Sequence, residues 1–208
     1  MKGRLIAFEG IDGTGKSTQI KLLAEFLREQ GYRVVLTREP TDSIYGRRIR
    51  ELYVCRENCT PEEELELFIQ DRRLHVQELI EPELAAGSIV LTDRYYYSTA
   101  AYQGANGFDP AEIFARNSFA PRPDMVILLT MPPELSAERI CKGRGEQLNA
   151  FEQLASLRRV SELFASFSDP WLCRIDASQP VVSVHEQIRR AWHGLSWPAV
   201  SSPCPSPI

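Results

Sequence analysis

Lysine is scarce in this chain. Four residues (positions 2, 16, 21 and 142) stand against 20 arginines among 208. Histidine is scarce too: the three residues, 75, 185 and 193, lie far apart. The five cysteines include a Cys55–Cys59 pair, but no second pair stands at metal-ligand spacing, so no thiolate–metal site is expected. That cysteine usage fits a reduced, cytoplasmic protein. Apolar runs are no longer than a strand, as in Met125–Met131, so no membrane partner is expected. The N-terminal apolar run ends at Glu9, too short for a signal-peptide core. A net charge of −4 argues against a general polyanion-binding surface, and hence against a nucleic-acid partner. What remains is an ordinary soluble mix, 43% hydrophobic and 25% charged, long enough for one sizeable core.

Strand-like and helix-like segments alternate. Leu5–Glu9, Arg33–Thr37, Ser88–Thr92, Met125–Thr130 and Trp171–Ile175 read as strands. Ser17–Gln30 reads as a helix with Gly31 as its C-cap. Thr60-Pro61-Glu62-Glu63 carries the start signals of a long helix to about Ala85, with a bend at Pro82. Pro132–Cys141, broken by Gly143-Arg144-Gly145, then Leu148–Phe167 and Val184–Trp192 complete the helices. Continuously apolar strands between helices predict an α/β fold, a five-stranded parallel sheet covered on both faces. The chain divides into a domain over 1–194 and a Pro/Ser-rich tail over 195–208, expected to be disordered.

Gly10-Ile11-Asp12-Gly13-Thr14-Gly15-Lys16-Ser17 matches G-x-x-x-x-G-K-[ST] at every fixed position, between a strand and a helix. Gly10, Gly13 and Gly15 let backbone N–H groups turn inward as an anion nest at a helix N-terminus. Lys16 is expected at the β and γ phosphates of ATP, with Thr14, Thr18 and Arg139 also on ATP, and Ser17 on Mg²⁺. Such a loop also serves switch GTPases and motor ATPases. A guanine-reading N-K-x-D is excluded, since no Asn-Lys pair occurs. Asp93, ending the third strand, is the candidate second holder of Mg²⁺; it could equally cap the next helix. Arg38 and Arg94 follow adjacent-reading strands at the sheet's carboxyl edge, where ligands sit. Two guanidiniums there suggest a second phosphate site and so a phosphorylated acceptor.

The runs Phe8-Glu9-Gly10 through Gln19, Thr37-Arg38-Glu39-Pro40, Phe68-x-x-Asp71-Arg72-x-x-His75, Asp93-Arg94-Tyr95-x-x-Ser98-x-x-Ala101-Tyr102-Gln103-Gly104 and Asp176-Ala177-Ser178-Gln179-Pro180 resemble, in order, the motifs of bacterial thymidylate kinases. The resemblance implies a P-loop NTPase-type domain with a short lid at about 142–150, a homodimer, and Mg-dependent phosphoryl transfer from ATP to dTMP. It implies Asp12 at the sugar 3′-hydroxyl and acceptor phosphate, with Arg38 and Arg94 on that phosphate. Phe68 would stack on thymine and Arg72 would bond a thymine carbonyl. Ser98 and Gln103 would line the base pocket, and Tyr102 would crowd the sugar 2′ position. Glu39–Pro40 would be cis, and the Asp176 turn would lie by the adenine. His75 is assigned a structural hydrogen bond.

The chain departs from the family pattern in four places. Thr41-Asp42 replaces a Gly-Gly pair, Thr130 replaces an Asp, Asn149-Ala150 replace Asp-Arg after the lid, and Gly13 follows Asp12. The resemblance implies that members with a small residue such as Gly13 there take the transition-state cation from the lid, leaving Arg139, Lys142 and Arg144; Arg144, between two glycines, is the candidate that closes over the transferring group. Two alternatives stay open: a kinase of another nucleoside monophosphate, or a catalytically weak nucleotide-binding paralogue.

Overall fold

The computed structural model describes residues 3–54, 59–144 and 150–195. Five strands, β1 (Arg4–Glu9), β2 (Val34–Arg38), β3 (Ile89–Asp93), β4 (Met125–Thr130) and β5 (Leu172–Asp176), form one parallel sheet in the order β2-β3-β1-β4-β5. All five expected strands are present, within a residue or so of their expected ends. Alternate side chains of each strand enter two separate cores. Leu5, Ala7, Val90, Val126 and Leu128 face one; Ile6, Phe8, Leu91, Ile127 and Leu129 face the other. Burial on both faces explains the unbroken apolar runs.

Helices α1 (Lys16–Glu29) and α9 (Val181–Gly194) cover the second face, contributing Ile20, Leu23, Leu27, Val184 and Ile188. The first face is covered by α3 (Pro61–His75), α5 (Tyr96–Ala105), α6 (Pro110–Arg116) and α8 (Ala150–Ser166). Thr60 and Glu63 form a reciprocal capping box at the start of α3: Glu63 N–H donates to the Thr60 hydroxyl (3.2 Å) and Thr60 N–H to Glu63 Oε2 (2.8 Å).

The bend expected at Pro82 takes another form. A π-helical turn, Val76–Ile80, precedes α4 (Glu81–Ala85), and Glu81 N–H reaches back five residues to the Val76 carbonyl. Proline lacks an N–H and its ring crowds the carbonyl four residues back, so the accommodation falls upstream of it. Helices α2 (Ile44–Leu52) and α6 were not expected, and of α5 only its place after Asp93 was. Arginines at 47, 48 and 50 obscure the short apolar stripe of α2, while α5 is buried nearly all round, which erases helical periodicity. Helix α7 (Pro133–Arg144) runs through Gly143, past the expected end at Cys141. Most of the expected lid, residues 145–149, and the tail from 196 onward lie outside the described residues.

The capping box and the core make separable contributions. Thr60→Ala should cost about 1 kcal/mol, whereas Leu91→Ala, at a fully buried position of β3, should cost about 2–5 kcal/mol. Urea unfolding midpoints at constant slope measure both.

Candidate active site

Gly10 to Ser17 wraps from β1 into α1. Gly10 has φ 130°, and a Cβ there would run into the Leu129 carbonyl oxygen of β4. Gly15, at φ 87°, faces open space, as an anion nest requires. Thr14 Oγ1 donates to the Ile11 carbonyl at 2.9 Å, tightening the loop. The Lys16 ammonium folds back over it, donating to the carbonyls of Gly10 (3.0 Å) and Ile11 (2.9 Å). Burial, helped by the charge of Arg94, pulls its pKa from 10.5 down to about 8, against Asp12, Asp93 and Glu9.

Ser17 Oγ donates to Asp93 Oδ2 at 2.7 Å, so the two expected metal-holding groups meet. A hydroxyl and a carboxylate are hard oxygen donors of the kind Mg²⁺ takes one or two of, completing its shell with phosphate and water. The residues therefore fit the ion. Asp93 is not the cap of α5: Tyr95 occupies that position, without a side-chain bond. Thr130 stays apart from this pair, its hydroxyl donating to the Ile175 carbonyl of β5 at 3.2 Å.

Beside the loop lies a cavity of about 460 Å³, lined by Asp12, Pro40, Phe68, Arg72, Arg94, Ser98, Tyr102 and Gln103 with Thr99 and Asn106. Aromatic walls with a few polar groups suit one small, flat, charged ligand. Arg94 Nη2 pairs with Asp12 Oδ1 at 2.6 Å, so loop and cavity share a wall. Arg94 Nη1 donates to Ser98 Oγ at 2.9 Å, and its guanidinium lies 5.0 Å over the Tyr102 ring. Gln103 Oε1 is buried, lines this cavity and has no partner among the described residues, an acceptor that a ligand N–H could satisfy.

Arg38 does not join this group. It lines a neighbouring cleft with Ser17, Lys21 and Asp93, and its Nη2 sits 3.3 Å from Asp42 Oδ1. Asp42, one of the departures, also holds Arg50 at 2.8 Å. Thr41, the other, is tied down: its hydroxyl (2.5 Å) and N–H (2.8 Å) donate to Asp71, which also receives Ser43 Oγ at 2.6 Å.

Arg72 lines the cavity but is largely committed to the protein. It donates to Glu39 Oε2 through Nε (2.9 Å) and Nη2 (2.5 Å), to Thr99 (3.0 Å) and to Asn117 (2.6 Å). Of its five N–H groups, four are used, leaving one on Nη1 for a base carbonyl. His75 bridges Glu39 Oε1 (2.9 Å) and Thr37 (2.7 Å), the structural role expected of it. The Glu39–Pro40 bond is cis, as expected.

On the other side of the loop, Thr14, Gly15, Thr18, Arg139 and the Ala177–Val181 turn line a cleft of about 340 Å³. Arg139 Nη1 donates to the Ala177 carbonyl at 3.1 Å, so it builds this wall rather than reaching the acceptor side. Arg144 ends α7; its side chain lies outside the described residues, as do those of Phe151 and Glu152. Gly13 is explained by packing: a Cβ there would meet the Ser136 carbonyl oxygen at 2.9 Å, and Ser136 Oγ donates to the Asp12 carbonyl.

Sequence reasoning missed Glu9, Glu39, Thr99 and Asn117. Glu9 carried a usable signal, a carboxylate ending an otherwise apolar, buried strand. The others depend on long-range contacts that local spacing does not encode.

A family model described as Thymidylate kinase matches residues 8–188. A thymidylate kinase of Desulfotalea psychrophila is 54% identical over 186 residues, covering 89% of this chain and 92% of the relative. One from Akkermansia muciniphila is 49% identical, covering 91% of each. A protein named probable thymidylate kinase from Archaeoglobus fulgidus is 45% identical over 89% of this chain and 93% of its own length.

Burial alone would raise the Glu39 carboxyl, but Arg72 and His75 outweigh it and hold it below 4.5. Such a group stabilises the fold fully above its unfolded value and loses that contribution as pH falls through the folded one. Glu39→Gln should therefore cost about 3–5 kcal/mol at pH 7, because Arg72 loses its buried counter-charge. The cost should hold down to about pH 4.5 and shrink below it. Urea midpoints at pH 7 and 3.5 check this; an equal gap at both would remove the ion pair as its cause.

Proposed function

The chain belongs to the thymidylate kinase family, and from that premise we propose how its own residues carry ATP-dependent phosphorylation of dTMP to dTDP. The observation that carries the reading is the shared wall, Asp12 and Arg94 at 2.6 Å, joining a triphosphate loop to an aromatic-lined acceptor cavity. An oxygen of the dTMP phosphate attacks the γ-phosphorus of ATP; the bond from that phosphorus to the bridging oxygen breaks and ADP leaves. Little covalent chemistry falls to the protein, so its work is positioning and charge stabilisation.

In this reading Gly10, Gly13, Gly15, Thr14 and Thr18 hold the triphosphate. Lys16 leaves the Gly10 and Ile11 carbonyls for the β and γ phosphates. Arg139 and the Ala177–Val181 turn border the adenine. Arg94 grips the acceptor phosphate, and Asp12 steers Arg94 and takes the sugar 3′-hydroxyl. Arg38 completes the phosphate grip once it leaves Asp42. Phe68 stacks on the base, while the free Nη1 hydrogen of Arg72, Ser98 and Gln103 select it. Tyr102 disfavours a 2′-hydroxyl. Ser17 and Asp93 would hold Mg²⁺, which neutralises phosphate charge as it develops. Arg144 is the lid cation for the transition state. A homodimer working in the cytoplasm completes the proposal; no helix among the described residues is long and apolar enough to cross a membrane.

Two experiments test it. A coupled ADP-release assay over dTMP, dUMP, UMP, CMP and AMP should show preferred turnover of dTMP. Preferred turnover of CMP or AMP would overturn the substrate, and no turnover would favour a non-catalytic binder. Arg144→Ala should lower kcat by about 100-fold or more, with the KM for dTMP little changed. An unchanged kcat would remove Arg144 from the role.

A further inference from the structure

Glu9 ends β1 with a carboxylate that has no solvent exposure. Its Oε1 accepts the N–H groups of Tyr95 (2.9 Å) and Ser98 (3.2 Å), and its Oε2 accepts the Ser98 hydroxyl. Helix α5 has no side-chain cap of its own. Glu9, from β1, takes the N–H of the N-cap residue Tyr95 and shares that of Ser98, which also donates to the Tyr95 carbonyl at 3.1 Å. The residue just before this start is Arg94, with φ 74°, a left-handed backbone that a non-glycine side chain adopts only when its surroundings hold it there. Because the Ser98 hydrogen is spent on Glu9, Ser98 Oγ is left as an acceptor, and Arg94 Nη1 donates to it at 2.9 Å. A continuous chain thus runs from Glu9 through Ser98 and Arg94 to Asp12.

We propose that Glu9 is a positioning residue for the acceptor: as a carboxylate it fixes the direction of the Ser98 hydroxyl and so aims the Arg94 guanidinium across the cavity mouth at the acceptor phosphate. The inference rests on the reading of Arg94 given above. Protonation of Glu9 reverses the bond. The carboxyl becomes the donor, the Ser98 hydrogen turns outward, and it then competes with Arg94 for the space beside Oγ. The charged and titratable groups acting with Glu9 are Arg94 from the β3–α5 turn, Lys16 from the loop and Tyr96 on α5. β4 sets only Leu128 opposite it. Burial, opposed by Ser98 and Arg94, raises the Glu9 carboxyl from 4.5 to about 7, which brings the reversal near neutral pH.

Glu9→Gln keeps an oxygen for the two backbone N–H groups but presents an amide donor to Ser98, imitating the protonated state at every pH. Calorimetric titration of dTMP, and separately of ATP, into the full-length wild type and this variant between pH 6 and 8.5 tests the proposal. The wild-type-to-variant ratio of dTMP affinities at each pH cancels the titration of the dTMP phosphate itself. At pH 8 the variant should bind dTMP about tenfold more weakly, the scale of one hydrogen bond to a charged group. ATP affinity should stay within about twofold, and the dTMP gap should close toward pH 6. Equal dTMP affinity at pH 8, or a loss of the same size at every pH, would overturn the proposal. Should Glu9→Gln fail to fold, Ser98→Ala keeps both backbone bonds; whatever fixed loss its base contact adds, its dTMP deficit should be larger at pH 8 than at pH 6, and a deficit of one size at both would overturn the proposal too. No dTMP binding by the wild type would instead overturn the functional reading on which this one stands.

Discussion

The parallel pairing of β1 with β3 sets Phe8 opposite Asp93, and the site depends on that register. The ladder continues past both strand ends, with Arg94 N–H donating to the Phe8 carbonyl and Glu39 N–H to that of Asp93. Three loops are thereby stacked at one edge of the sheet: the phosphate loop after β1, the Arg94 turn after β3 and the Glu39 turn after β2. The Ser17–Asp93 and Asp12–Arg94 contacts, and the clasp of Glu9 on α5, all bridge the first two of these loops. A one-residue slip would turn every buried side chain of β1 to the opposite face and undo all three together.

Buried charge in this region costs energy and returns position. Glu39, Arg72 and His75 lie together on the first face of the sheet, and hydrophobic groups of equal volume could stabilise the fold as well or better. What the network secures is geometry. Arg72 reaches from α3 to the turn after β2, to α5 and to Asn117, so the walls of the cavity are cross-linked by one guanidinium. Asp71, the preceding residue, holds Thr41 and Ser43 in the same way. The Thr41-Asp42 departure therefore does not leave the loop loose. Instead, it places a carboxylate beside Arg38 and Arg50.

Much of this was legible beforehand, for physical reasons. The phosphate loop is local, since consecutive residues build it and its glycines are obligatory, so the motif implies the geometry. Strands buried on both faces announce themselves as unbroken apolar runs. The residues that the resemblance to thymidylate kinases groups around dTMP line one cavity, apart from Arg38, which lines the neighbouring cleft. Arg38 there sits beside Asp42, a neighbour that departs from the family pattern. The helix at 44–52 and the extent of the one at 96–105 are hidden for opposite reasons, one too charged and the other too uniformly buried to show a 3.6-residue period. Glu9 and Glu39 act through partners 30 to 90 residues away, and no spacing rule connects them.

The central claim is that loop and cavity are two halves of one site, in which the γ-phosphoryl group passes directly from donor to acceptor. A single-turnover reaction with ATP labelled at the γ-phosphate and unlabelled dTMP addresses it, with products separated by chromatography. The account predicts that label appears in dTDP in one-to-one proportion with ADP, with none released as inorganic phosphate. Release of label as inorganic phosphate while dTMP remains unchanged would contradict it.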